Sequence, residues 1–187
     1  MKLLLFAGSL RKDSCNKKLA REAARLAQAR PGVETELLDL KDYPMPPYDG
    51  DIETGSGIPK ETAALGAKII AADALVISTP EYNGSIPGIL KNVVDWLSRE
   101  KQVSLEGKPL LLLAASPGAL GGVRSLWHTR VPFEVLGVHV FPGMMGLPGA
   151  YQAFGDDGRL KDEKTEKRLQ ALLEQFLAHA EKKPPQS

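Results

Sequence analysis

One cysteine, Cys15, stands in the whole chain, so an internal disulfide and a cysteine-built metal centre are both excluded. The three histidines, His128, His139 and His179, are scattered and form no metal-type cluster. No sign of charge dominates either. The formal net charge is +1 with no basic block, which excludes nucleic acid as the main partner. No apolar run is long enough to span a bilayer. The one at the start, residues 2–7, is shorter than a signal-peptide core and soon meets Arg11 and Lys12. A cytoplasmic location without membrane contact is therefore expected. Two phosphate-binding signatures are also missing: there is no GxGxxG and no GxxxxGK[ST].

What is there begins with a strand. Residues 2–7 (Lys-Leu-Leu-Leu-Phe-Ala) form a short apolar run closed by Gly8. A polar loop follows, Ser9-Leu10-Arg11-Lys12-Asp13-Ser14-Cys15-Asn16, and then a helix with Leu19, Ala20, Ala23, Ala24, Leu26 and Ala27 on one face. Strand, polar loop and helix N-terminus together present free N–H groups and the positive end of a helix dipole, a site for an anion. Ser9, Ser14 and Asn16 add neutral donors there, and Arg11 adds a planar fork suited to phosphate. Cys15 and Arg21 have the C-x5-R spacing of a cysteine phosphatase. That chemistry needs the cysteine inside a glycine-bearing loop, whereas the five residues after Cys15 contain no glycine and continue as helix.

At 187 residues, 43% hydrophobic and 25% charged, the chain has the composition of one globular domain, expected over residues 1–181 with a frayed tail at 182–187. Strand signals at 33–40, 74–79, 110–115 and 138–141 alternate with helix signals at 60–71, 88–98 and a final helix carrying Leu169, Leu172, Leu173, Phe176, Leu177 and Ala180. Glu34, Glu36 and Asp39 place the second strand at an edge. The pattern predicts an α/β fold: a flavodoxin-like, doubly wound, five-stranded parallel sheet in the order 2-1-3-4-5 with helices on both faces. Ligands of such sheets bind outside the carboxyl ends of the strands, so the loops after strands 1, 3 and 4 are the ones that matter.

The loop after strand 3, Pro80-Glu81-Tyr82-Asn83-Gly84-Ser85-Ile86-Pro87, is stiffened by two prolines and offers a flat ring and an amide. The loop after strand 4, Ser116-Pro117-Gly118-Ala119-Leu120-Gly121-Gly122, is small and rich in glycine. Each alone reads as an ordinary connection. Together with the anion cup they describe a phosphate site facing two backbone-rich walls, which suits FMN. A long segment at 41–59 holds Tyr43, Pro44, Met45, Pro46, Pro47 and Tyr48. It reads equally as a stiff surface loop or as a wall of an acceptor site or dimer contact.

Gly-Ser-Leu-Arg-Lys-x-Ser-x-Asn at 8–16, Pro-Glu-Tyr-Asn-Gly-Ser-Ile-Pro at 80–87 and Leu-Lys-Asn-Val-Val-Asp-Trp-Leu-Ser at 90–98 resemble the NAD(P)H-dependent FMN reductase family, which includes quinone, chromate and azo-dye reductases. The resemblance runs from the first strand to about Gly122. It implies that Ser9, Arg11, Ser14, Cys15 and Asn16 contact the FMN phosphate region. Pro80, Glu81, Tyr82 and Asn83 would line the isoalloxazine ring, with Ser116 and Gly118 closing its other side. Asp13 stands where the family often has glycine, and is expected to point outward toward Lys12 or Lys17. The implied activity is electron transfer from NAD(P)H as co-substrate, through FMN, to a small-molecule electron acceptor: quinones, chromate, azo or nitro compounds, or free flavin. No side chain is assigned an obligatory catalytic role, and no metal is implied. The alternatives are a non-enzymatic FMN electron carrier and, further off, the phosphatase. The resemblance also implies a homodimer or homotetramer, and Trp96, Leu97, Trp127 and Phe133 are candidates for surplus apolar surface.

Overall fold

The computed structural model describes residues 1–182. The part of the expected frayed tail at 183–187 lies outside the described residues. Strands β1 (Lys2–Ala7), β3 (Ala74–Ser78) and β4 (Pro109–Ala115) form the middle of a parallel sheet, with β2 (Glu34–Leu38) at one edge beside β1. The strand order is β2-β1-β3-β4-β5, as the sequence predicts. All three central strands after Lys2 are buried on both faces, which is why they read as unbroken apolar runs instead of alternating ones.

Alternate residues feed two separate cores. Leu3, Leu5, Val76, Leu111 and Leu113 pack under helices α1 (Cys15–Gln28) and α7 (Glu163–Glu181). Leu4, Phe6, Leu75, Ile77, Leu110 and Leu112 pack under α3 (Lys60–Ala71), α4 (Gly88–Leu97) and α5 (Val123–Val135). β2 stays at the edge because Glu34, Glu36 and Leu37 remain exposed.

The fifth strand departs from expectation. Two short pieces, β5 (His139–Val140) and β6 (Met145–Leu147), pair in turn with the start and the end of β4, making six strands in place of five. The chain bulges out between them at Phe141-Pro142-Gly143-Met144, where Pro142 supplies no N–H for a ladder. Arg130 on α5 spans the interruption, donating to the carbonyls of Val140 (3.3 Å) and Phe141 (3.1 Å).

The 41–59 segment is organised. A 3₁₀ turn (Leu40–Asp42) and a short helix, α2 (Gly50–Ser56), bracket a proline run that is fastened to α4. The Pro46 carbonyl accepts from Asn92 Nδ2 (2.9 Å) and from the Trp96 indole (2.8 Å), and the Tyr48 amide donates to Asn92 Oδ1 (2.7 Å). Tyr48 packs edge-on to Trp96 with centroids 5.1 Å apart. Trp96, Leu97 and Phe133 are therefore core residues. Of the four large side chains singled out in the sequence, Trp127 alone is exposed.

Candidate functional site

The loops after β1, β3 and β4 meet at the carboxyl edge of the sheet, tied by hydrogen bonds on every side. Gly8 N–H donates to the Ser78 carbonyl at 2.9 Å, and Thr79 N–H to the Leu113 carbonyl at 2.7 Å. Gly121 lies so near the backbone of Gly146 and Leu147 that any Cβ would fall 2.8 Å from it, so the β4–α5 loop can press on β6 only as glycine. The short helix α6 (Ala150–Ala153) closes the group, with Ala150 N–H on the Ser116 carbonyl (3.1 Å) and the Cys15 thiol on the Ala150 carbonyl (3.6 Å).

Three helix N-termini open onto this edge, those of α1, α4 and α5. None has an acidic residue in its first turn, and none has a side-chain cap: their N-cap residues are Ser14, Pro87 and Gly122. The α5 terminus is served by the Glu81 carboxylate, which accepts the Arg124 amide, but at α1 and α4 unsatisfied N–H groups and uncompensated dipoles are left, the donor set that a bound anion requires. The arrangement fits the phosphate of FMN.

In the β1–α1 loop, Ser9 is 2% exposed and its hydroxyl accepts the Arg11 amide at 3.3 Å. Arg11 itself is exposed. A hydrogen bond from its guanidinium to the Tyr151 phenol oxygen raises its already high pKa further, with Tyr82 adding to the effect. Asp13 is exposed as expected, but Lys17 is not its partner and pairs with Asp39. The side chain of Asn16 is engaged away from the loop. It is 3% exposed, turned inward, with its carboxamide spent on Ser78 and Ala115. Cys15 also faces inward, toward Ala150, while Arg21 lies exposed further along α1, so no phosphatase pair is assembled.

In the β3–α4 loop, Asn83 (φ 51°) and Gly84 (φ 74°) are both left-handed, and Tyr82 and Ser85 exchange backbone hydrogen bonds at 3.2 and 3.0 Å. That is a two-residue hairpin turn of type I′, for which Asn-Gly is the favoured pair. It lifts Tyr82 out of the surface, 46% exposed, while Pro80 is buried beneath. Glu81 turns toward α5 and accepts from the Arg124 amide (3.0 Å), from Arg124 Nε (2.8 Å) and from its Nη2. Those bonds from Arg124 hold the Glu81 carboxyl below the usual carboxylate range. Glu81 therefore fastens the loop with its side chain and leaves only its backbone for a ligand. His128 Nδ1 reaches the Ser85 hydroxyl at 2.9 Å on the outer side of the same turn. Across the cleft the Gly118 amide donates to Ser116 Oγ at 3.2 Å, which shapes the second wall.

Sequence reasoning missed Tyr151, Arg124 and Ser78, whose roles come from distant elements and carry no local signal. Asn16 did carry one. It precedes Leu19, Ala20 and Ala23 by three, four and seven residues, the spacing of the buried face of α1.

A family model described as NADPH-dependent FMN reductase matches residues 1–152. The chain is 38% identical to an NAD(P)H-dependent FMN reductase of Pseudomonas aeruginosa over 176 residues, 93% of this chain and 92% of the relative. It is 37% identical to a quinone reductase of Escherichia coli over 178 residues, 94% and 93% of the two chains. Among solved structures, the flavoenzyme NAD(P)H:(acceptor) oxidoreductase FerB from Paracoccus denitrificans superposes with a TM-score of 0.81 at 33% identity, covering 97% of this chain and 98% of that one.

Proposed function

The chain belongs to the NADPH-dependent FMN reductase family, and from that premise we propose that it passes electrons from NAD(P)H through bound FMN to quinones. The observation that carries this reading is the pair of uncapped, acid-free helix N-termini, those of α1 and α4, at the ends of the loops after β1 and β3. The FMN phosphate sits on the β1–α1 loop, held by backbone N–H groups with Ser9, Ser14 and Arg11. The ring lies between the backbone of residues 80–83 and that of residues 116–118, with Tyr82 at its rim. FMN, when bound, supplies the hydride chemistry; the protein binds it, orients it and places N–H dipoles beside it. No side-chain acid or base is required. Because a flat, open face discriminates weakly, chromate, azo and nitro compounds and free flavin are further acceptors.

The test starts with colour. The purified chain, with FMN added back, turns yellow and oxidises NAD(P)H when benzoquinone is supplied. Yellow protein without turnover points to an electron carrier instead, and colourless protein after add-back overturns the reading. No helix among the described residues is long and apolar enough to cross a membrane.

Self-association forms part of the same proposal. Trp127, Val131 and Val135 lie four residues apart on the outer face of α5 and are 55%, 61% and 80% exposed, a stripe suited to an isologous contact. Light scattering at micromolar concentration should give a dimer or tetramer mass, and a monomer with full activity removes this part.

A further inference from the structure

The carboxyl end of β4 is one rung longer than its neighbour. Leu113 and Ala115 both point their backbone groups toward β3. Leu113 is served there, because its carbonyl takes the Thr79 amide at 2.7 Å. The residues in register to serve Ala115 are Thr79 and Glu81, but β3 ends at Ser78 and with Pro80 the path turns away into the loop. Ala115 therefore faces no strand. The Asn16 carboxamide fills the place: Ala115 N–H donates to Asn16 Oδ1 at 2.9 Å, and Asn16 Nδ2 donates to the Ala115 carbonyl at 2.9 Å. The second lone pair of Oδ1 accepts the Ser78 hydroxyl at 2.8 Å. A side-chain amide thus pairs with β4 as a strand backbone would, while bonding to the last residue of β3.

Asn16 is the second residue of α1, two positions after the Ser14 cap. One group consequently joins the phosphate-facing end of α1 to the last residues of both strands that lead into the ring walls. We propose that Asn16 is a positioning residue of the cofactor site: its amide is the missing rung of the sheet and sets the spacing between the phosphate cradle and the two walls. This rests on the FMN reading above. It assigns Asn16 no direct side-chain contact with the ligand, since the side chain is 3% exposed and its oxygen is fully used.

The amide can be tested against its own isostere. In Asn16→Asp a protonated carboxyl donates to the Ala115 carbonyl and accepts from Ala115 N–H and Ser78, whereas the carboxylate has no donor and faces a carbonyl oxygen. The groups that face this position, the Ala115 backbone and the Ser78 hydroxyl, do not titrate. Burial shifts the new carboxyl upward from its ordinary value, outweighing the smaller downward pull of the α1 N-terminus. FMN dissociation constants are measured from pH 5 to 8.5 for wild type, Asn16→Asp and Asn16→Leu. Taking each variant as a ratio to wild type at the same pH cancels the titration of the phosphate. Asn16→Asp should approach wild-type affinity at pH 5 and fall tenfold or more behind as pH rises. Asn16→Leu should be weak by a constant factor throughout. An Asn16→Asp ratio that stays flat, or Asn16→Leu within threefold of wild type, overturns the proposal.

Should Asn16→Asp unfold at alkaline pH, Ser78→Ala supplies the second arm. It removes one bond to the amide, and it should lower FMN affinity two- to fivefold while circular dichroism stays unchanged; equal affinity overturns the proposal. A wild type that takes up no FMN overturns the functional reading and this one together, whereas a wild type that binds beside a flat Asn16→Asp ratio overturns this one alone.

Discussion

The helices of this protein start in two different ways. α2 and α7 are capped by Asp49 and Asp162, whose carboxylates accept backbone N–H groups, and each has two acids in its first turn. α3 has no side-chain cap but carries Glu61 there. These helices neutralise their own N-termini. α1 and α4 do not: their caps are a serine without a side-chain bond and a proline, and no acid follows, while α5 borrows the Glu81 carboxylate from the β3–α4 loop. An exposed cap is worth roughly 1 kcal/mol, so two helices leave that stabilisation unused in one place. Stability is kept in the helices away from the site and given up where a ligand can take the cap's role.

Breaking this contrast at α1 should have the largest effect. Ser14→Asp gives α1 the cap that α2 and α7 already have, on a residue whose extended backbone (φ −78°, ψ 126°) accepts one. The apo protein should melt no lower than wild type. FMN affinity should fall a hundredfold or more, since a carboxylate about 4 Å from a phosphate costs about 4 kcal/mol per charge pair at an effective dielectric near 20. Equal affinity in a flavin titration would show that the phosphate lies elsewhere.

Arg11→Ala comes next. It removes a charge-assisted bond worth about 1.5–3 kcal/mol, a ten- to hundredfold loss of FMN affinity with little change in melting temperature. The mirror experiment lies on the other side of the contrast. Asp162 Oδ2 accepts the Thr165 amide at 2.9 Å, and Asp162→Ala should cost about 1 kcal/mol in chemical denaturation while flavin affinity stays the same.

The smallest effect is expected from Glu81→Gln, at roughly 1 kcal/mol or less because Arg124 is half-exposed. Arg124 lowers the folded pKa of Glu81 below its unfolded value, so the unfolded chain binds more protons in acid. The stabilising contribution is complete above the unfolded pKa and is lost as pH falls through the folded one. Wild type should therefore melt above Glu81→Gln by a constant margin from pH 7 to 5.5, and the margin should close in more acid solution.

Sequence patterns reached different depths in different parts of the chain. β1, β3 and β4 were legible because burial on both faces forces unbroken apolar runs, and the acids of β2 marked the edge. The break between β5 and β6 was not legible: two and three residues make no period, and what stitches them is Arg130 from another element. α5 was obscured because its outer face carries Trp127, Val131 and Val135 and its interior holds Pro132, so no clean amphipathic stripe shows. At the site, the loops that meet at the carboxyl edge could be chosen from topology alone. Which side chains are left free there could not: Glu81 and Asn16 are chemically apt, but both are engaged by partners 43 and 99 residues away.

The two tryptophans divide the molecule between them in a way that light can read. Trp96 is wholly buried, its indole bonded to the proline run and its ring against Tyr48, whereas Trp127 stands in solvent on α5. Their emission should separate into a blue component from the first and a red one from the second. With Trp127 replaced by phenylalanine, the remaining fluorescence becomes a spectroscopic gauge of how firmly the 41–59 segment is seated; with Trp96 replaced, it becomes a gauge of whether a second molecule has arrived.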